Sequence, residues 1–450
     1  MTPAQENARL YHLDATRAFA LVLGIVFHAS LSFVPVFMGW AVQDVSTSPL
    51  VTIFTTVSHS FRMETFFLLA GFFSHMMLER KGTISFLRTR VLRIVVPFVI
   101  GWFLLRPLLV SGWLMGNASL RGDVPVWSSL LGGWHSLAAL PAGVFTGSHL
   151  WFLYYLALIT SVVLVIRGIL NMTGSWQARL IHGADGALAW LAKSPFALLI
   201  LALPTAATLW CMSSWGMDTP DKSLLPHVPA LAIYGGFFAF GWLLERQRGL
   251  LDEFSRLTLW RVVQAGIGIT AILLLGGIER DPAHTHYVTA HVAFAAGYAM
   301  TMWSLVFLTI GLFHKLCPQP NALVRYVADS SYWMYLIHLP LVIWLQVAFA
   351  ELPFNWLLKL ATISAIAVVI ALVTYDLFAR STFIGWLLNG RRSERVIVPR
   401  AREFARRLLL NILPDATLLR CGARKAAHEI AIPAHDEIHA PVLTAREREN

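Results

Sequence analysis

Residues 18–38 read AFALVLGIVFHASLSFVPVFM. An apolar run of roughly 20 residues is long enough to cross a bilayer as a helix, and this one carries an ionisable side chain, His28, near its middle. Two further stretches repeat the combination. Residues 58–73, SHSFRMETFFLLAGFF, contain Arg62 and Glu64, and residues 330–344, SSYWMYLIHLPLVIW, contain His338. A charged side chain at the centre of a membrane helix costs roughly 2.5–3.5 kcal/mol on insertion scales, so such groups must be paired, solvated in a cavity, or both. A cavity of this kind is a site, and the chain is therefore more than an anchor.

Composition points to the same class. Hydrophobic residues make up 57% of the 450 and charged residues 13%, with a mean hydropathy of +0.63; soluble domains average roughly 45–50% and 25%. Windows long enough to span predict an all-α, polytopic membrane protein with ten helices, near 18–38, 52–78, 94–116, 148–166, 195–214, 228–244, 262–278, 288–313, 330–349 and 357–379. Loops on the side of the N-terminus hold Arg9, Arg17, Arg80, Lys81, Arg88, Arg90, Arg93, Arg167, Arg179, Lys193, Arg246, Arg248, Arg256, Arg261, Lys315 and Arg325. The opposite loops hold only Arg121, Lys222 and Arg280. By the positive-inside rule both termini are expected to be cytoplasmic. The net charge of +10 then reflects topology, and nucleic acid is not an expected partner.

No cleavable export signal is expected, because the first ten residues are polar and the first apolar stretch is long enough to be retained as a span. Cys211, Cys317 and Cys421 lie in unrelated segments without Cys-x-x-Cys spacing, so neither a disulfide framework nor a metal site is expected. The organisation predicted is a transmembrane domain over 1–380 and a basic cytoplasmic tail over 381–450. The tail segment 391–413, RRSERVIVPRAREFARRLLLNIL, suits a helix on an anionic membrane surface, with disorder expected from about Cys421. No internal repeat is evident. Tryptophans gather at membrane interfaces, and that accounts for Trp127 and Trp134 in the loop 117–148 as well as stacking on a sugar ring does.

The first helix offers the sharpest geometry. Arg17 and His28 are eleven positions apart, close to three full turns, so they share one face roughly 16 Å apart. Asp14 joins that face. A core histidine bonded to a neighbour is the bland reading of His28; imidazole also titrates near working pH, which suits a general base. Glu64 should lie at similar depth, where a carboxyl is ion-paired to Arg62 or Arg106, protonated, or set to orient an imidazole. In the segment 79–97, ERKGTISFLRTRVLRIVVP, Arg90 and Arg93 share a helical face with Arg88 close by. Topology alone explains basic residues there, yet two guanidinium forks at a membrane mouth also suit phosphate groups.

Taken in order, YHLDATRAFALVLGIVFHASL (11–31), HSFRMETFFLLAGFFSHM (59–76), RTRVLRIVVP (88–97), SHLWFLYYLALI (148–159) and SSYWMYLIHLPLVI (330–343) resemble the acyltransferase-3 family of polytopic membrane acyltransferases. The similarity runs from about Tyr11 to Phe378 and is greatest toward members that place succinyl groups on periplasmic glucans. The family's arginine, ten residues, histidine pattern is matched by Arg17 and His28, and its Arg-x-x-Arg element by Arg90 and Arg93. The resemblance implies that Arg17 and His28 form the essential first-helix pair, with His28 the proton acceptor and Glu64 an acid ahead of a Phe-Phe pair. It also implies that Arg88, Arg90 and Arg93 meet the phosphates of a cytosolic acyl-CoA, expected as succinyl-CoA. His149, Trp151, Tyr335 and His338 match later blocks. Where relatives carry a serine after the Phe-Phe pair this chain has Ala70, which argues against a serine nucleophile there.

The resemblance thus implies acyl transfer across the bacterial inner membrane to glucan hydroxyls, with His28 as general base or as transient acyl carrier. Two alternatives share the residue pattern. One is O-acetylation of another polysaccharide or a lipid-linked sugar; the other is a proton-coupled transporter, for which intramembrane His, Glu and Arg are also typical.

Overall fold

The computed structural model describes residues 10–119, 124–138 and 148–397, and every regular element among them is helical. Of the segment 391–413 expected to lie on a membrane surface only 391–397 are described, and the stretch from Cys421 expected to be disordered lies outside the described residues. The chain opens with α1 (Tyr11–Ser30), which tightens into a 3-10 turn at Leu31–Phe33 before Pro35. A loop over 34–48 leads to α2 (Pro49–His59). Its start is set by the Ser48 hydroxyl, which accepts from the Leu50 N–H, and by proline at the first helical position. Helix α3 (Arg62–Lys81) ends at Gly82, whose φ of 72° suits glycine.

Helix α4 (Thr83–Arg90) passes through a π-helical turn at Val91–Val95 into α5 (Val96–Ser119). There follow α6 (Val126–His135), α7 (Trp151–Met172), α8 (Ser175–Lys193), α9 (Ala197–Leu209) and α10 (Val228–Arg246). The series continues with α11 (Leu250–Phe254), α12 (Leu259–Leu275), α13 (Tyr287–Leu316) and α14 (Ala322–Phe349). Helix α15 (Trp356–Thr374), a second π-helical turn at Tyr375–Ala379 and α16 (Phe383–Asn389) complete it.

Among the described residues, eight helical segments are long and apolar enough to cross a membrane. The chain is a multi-pass membrane protein. Two of the ten expected spans differ from that set for physical reasons. The stretch 52–78 is two helices, because the α-helical run breaks after His59 and resumes at Arg62, and α3 carries Arg62, Glu64, Glu79, Arg80 and Lys81. The stretch 195–214 holds only the 13 residues of α9, which meets α8 at a bend of 118°; taken together that pair makes a ninth candidate. Leu104, Leu203 and Leu274 are exposed along the candidate spans, as hydrocarbon contact allows. Trp127 and Trp134 are likewise exposed on α6.

Two glycines govern the closest crossing. A Cβ at Gly71 would come within 1.9 Å of the Phe238 carbonyl oxygen, and one at Gly241 within 1.9 Å of that of Leu68. Helices α3 and α10 therefore touch backbone to backbone, the close approach that small residues permit between membrane helices. Helix α1 sits centrally, packed against α3, α13, α14 and α15, so the residues on its polar face look into the molecule and not toward lipid.

The loop 34–48 is fastened to α15. Lys359, on α15, is fully buried and donates to Asp44 Oδ1 at 2.7 Å and to the Ala350 carbonyl at 3.2 Å. Asp44 also accepts from the Ser46 N–H at 2.8 Å. The same loop brings Trp40 back over α1, where its indole N–H donates to Gln346 Oε1 at 3.0 Å. The Gln346 amide in turn donates to the carbonyls of His28 and Ala29, at 3.0 Å each.

Candidate active site

A cavity of about 1580 Å³ runs alongside α1 and is lined at one end by arginines and in its middle by imidazoles. Asp14, Arg17, Arg80, Arg90, Arg93, Arg248 and Arg391 surround the end at which α1 begins. Arg17 donates to the Ala328 carbonyl at 2.9 Å and lies 3.5 Å from Asp14. Arg90 donates to Ser74 Oγ at 2.8 Å and packs over the Phe86 ring at 4.7 Å. Arg93 sits in the π-helical turn, where the widened backbone leaves a carbonyl free to accept from the Tyr332 hydroxyl. The left-handed Gly390 closes against its guanidinium, in space that a Cβ would occupy. Arg88 is exposed on α4 and does not line the cavity, so the three arginines grouped by sequence are divided: two face inward and one faces out.

Three histidines meet mid-cavity. The ring of His28 lies 5.2 Å from that of His338, which lies 5.5 Å from that of His149. His338 Nδ1 is 2.7 Å from the Tyr335 carbonyl, and His149 Nε2 is 2.9 Å from the Leu336 carbonyl. A carbonyl can only accept, so each of those nitrogens carries its proton and both rings are fixed in tautomer and orientation. The Tyr335 hydroxyl completes the link by donating to the His149 carbonyl at 2.7 Å. Trp151 backs this group, packed on Tyr155 and Tyr234.

The His28 ring makes no hydrogen bond among the described residues. Its Nδ1 is buried without a partner, which leaves Nε2 as the nitrogen open to the cavity. Trp40 stacks on it at 5.7 Å with the planes 17° apart. His28 is thus positioned by packing and by its own backbone carbonyl, not by a carboxylate.

Glu64 and Arg62 begin α3. Glu64 is fully buried, and no ion pair within 4 Å joins it to Arg62 or Arg106. Arg106 instead lies over the Trp102 ring at 5.0 Å, its Nε 3.4 Å from the Ser136 carbonyl. Arg62 lines the cavity, stacks over the Phe27 ring at 4.2 Å and leaves Nη1 without a hydrogen-bond partner. Toward the far end the lining includes Trp40, Trp113, His59, Asp218, Glu279 and Arg280. Among the described residues no group of three His, Cys, Asp or Glu side chains is arranged to hold a metal ion.

Residues 10–376 match the family model for an acyltransferase domain. The chain belongs to the acyltransferase-3 family. This acyltransferase-3 chain is 25% identical over 396 residues to glucans biosynthesis protein C of Escherichia coli (strain K12 / DH10B), an alignment covering 86% of this chain and 96% of that protein. Its similarity to glucans biosynthesis protein C of Escherichia coli O81 (strain ED1a) has the same identity and extent. No solved structure matches the chain. As an acyltransferase-3 member it is a membrane-embedded O-acyltransferase.

Sequence reasoning had no means of finding several contributors. Trp40, Gln346, Tyr332 and Ser74 have ordinary explanations where they stand in the chain, and only their tertiary partners tie them to His28, Arg93 and Arg90. His59 carried a signal in lying three residues before Arg62. It is held by Tyr298 and Thr219 at 3.3 and 3.0 Å.

Proposed function

We propose that this enzyme transfers a succinyl group from cytosolic succinyl-CoA to hydroxyls of periplasmic glucans. The N-terminus then lies on the cytoplasmic side of the inner membrane and His28 acts as general base. The observation that carries this reading is the single cavity shared by Arg17, Arg90 and Arg93 at one end and by His28 midway. A thioester of CoA cannot cross a bilayer, whereas its acyl end reaching inward from a phosphate-binding mouth can meet an acceptor that enters from the other side. The names of the similar proteins support a glucan acceptor, and the sequence resemblance supports the succinyl group.

In the proposed reaction an acceptor hydroxyl oxygen attacks the thioester carbonyl while its proton passes to His28 Nε2. The C–S bond then breaks, and the CoA thiolate leaves with that proton. General-base assistance of this kind is typically worth about 10²–10⁴-fold. Mass analysis of periplasmic glucans from cells with and without the protein tests the proposal. Loss of succinyl mass supports it; loss of acetyl mass, or no change, overturns the donor or the acceptor.

Phosphate contacts are made equally in the ground and transition states, so they act on donor binding more than on turnover. Arg90→Ala with Arg93→Ala is expected to raise the KM for succinyl-CoA about tenfold or more while leaving turnover at saturating donor within a few-fold. Lysine at both positions should rescue only in part, since it lacks the bidentate fork. An unchanged donor KM would reduce both arginines to topology determinants.

A further inference from the structure

We propose that Arg62 selects acyl groups ending in a carboxylate by binding that carboxylate while the thioester carbonyl sits at His28. The inference rests on the function proposed above and names the group that reads its donor.

Three independent observations place an anion here. Arg62 is 6% exposed, its Nη1 has no hydrogen-bond partner, and it faces the cavity. A guanidinium has five N–H donors and no acceptor, so one buried without a hydrogen-bonded carboxylate is a poorly compensated cation, and the Phe27 ring beneath it offers only a cation–π contact. Second, Arg62 stands at the first position of the 20-residue helix α3, which begins without a side-chain cap. The free N–H groups and dipole of a helix N-terminus favour an anion and disfavour a cation. Glu64, also in the first turn, is absent from the cavity wall and makes neither a hydrogen bond nor an ion pair within 4 Å to Arg62, so its charge offsets the cation only at a distance.

The third observation is distance. Gly24 leaves the notch in α1 into which Arg62 reaches; a Cβ at Gly24 would sit 3.7 Å from its Nη1. Gly24 and His28 are four residues apart, about 6 Å along α1, and both line the cavity. In a succinyl group the thioester carbonyl carbon and the distal carboxyl carbon are separated by three C–C bonds of about 1.5 Å, a span of about 4 Å. With the carbonyl at His28 and the acyl chain turned back across the cavity toward Gly24, the carboxylate comes within hydrogen-bond reach of the guanidinium. An acetyl group is too short to make the contact, and a butyryl group of equal length has a methyl where the charge should be, leaving the cation buried and unpaired.

The test uses the full-length protein in membranes, with glucan acceptor and three donors: succinyl-CoA, butyryl-CoA and acetyl-CoA. The wild type is expected to favour succinyl over butyryl in kcat/KM by at least about tenfold, the value of one hydrogen-bonded charge pair in a dry site. In Arg62→Gln that ratio should fall by roughly 10–100-fold, with Arg62→Lys intermediate. Equal use of succinyl and butyryl by the wild type overturns the inference even if neither variant folds. A loss of all three donors in parallel in a variant that accumulates normally also overturns it, by making Arg62 a general structural or catalytic requirement. Absence of glucan acylation from any of the three donors in the wild type would instead bring down the function proposed above, and the inference with it.

Discussion

His28→Ala is expected to reduce acyl transfer by at least about 100-fold while the protein accumulates in the membrane at its normal level. The structural cost is small because the imidazole makes no hydrogen bond that would be lost, and the contacts that hold this end of α1 run through the His28 backbone carbonyl to Gln346. The catalytic cost is large because His338 and His149 do not replace it. Their rings are tied to the Tyr335 and Leu336 carbonyls, each committing one nitrogen as a donor. His28 alone of the three is unbonded, with Nε2 open to the cavity. Product formation measured beside membrane-fraction protein checks the result. Retention of more than about a tenth of wild-type product would remove His28 from the general-base role.

What the sequence disclosed follows from periodicity. Arg17 and His28 repeat at whole helical turns, and both line the cavity; an apolar run with a regular period fixes its own polar face whatever surrounds it. Eight of the ten apolar windows fall on candidate spans among the described residues for the same reason. The division of 52–78 after His59 was not legible, since HSFR contains no proline or glycine to mark a break. Nor was the separation of Arg88 from Arg90 and Arg93, which are close neighbours in the chain; which guanidinium faces inward is decided by packing and by the π-helical turn that holds Arg93. Glu64 shows the limit most directly. Sequence offers Arg62 and Arg106 as equal partners, and the fold gives it neither, because Arg62 turns to the Gly24 notch and Arg106 to Trp102. Choices among competing partners depend on tertiary distance, about which a single sequence holds no information.

Lys359 is another residue whose partner only the fold supplies. In the sequence it is one lysine near the start of the last apolar run; in the fold it is fully buried, with its ammonium on Asp44 and the Ala350 carbonyl. Removing one member of a buried pair strands the other charge, at a cost of about 3–5 kcal/mol, whereas replacing both is often close to neutral. Lys359→Met is therefore expected to lower the thermal stability of the detergent-solubilised protein sharply, and adding Asp44→Asn should restore most of the loss, since asparagine can still accept from the Ser46 N–H. The consequence reaches the chemistry through the loop 34–48. Asp44 anchors the segment that lays Trp40 on His28 and bonds Trp40 to Gln346. Protein that survives the single change should show reduced turnover with donor KM little altered, because the arginine mouth lies at the other end of α1. A Lys359→Met protein as stable as wild type would mean that the ammonium is not a structural tie. One that is destabilised but turns over normally would uncouple the clasp from the placement of His28.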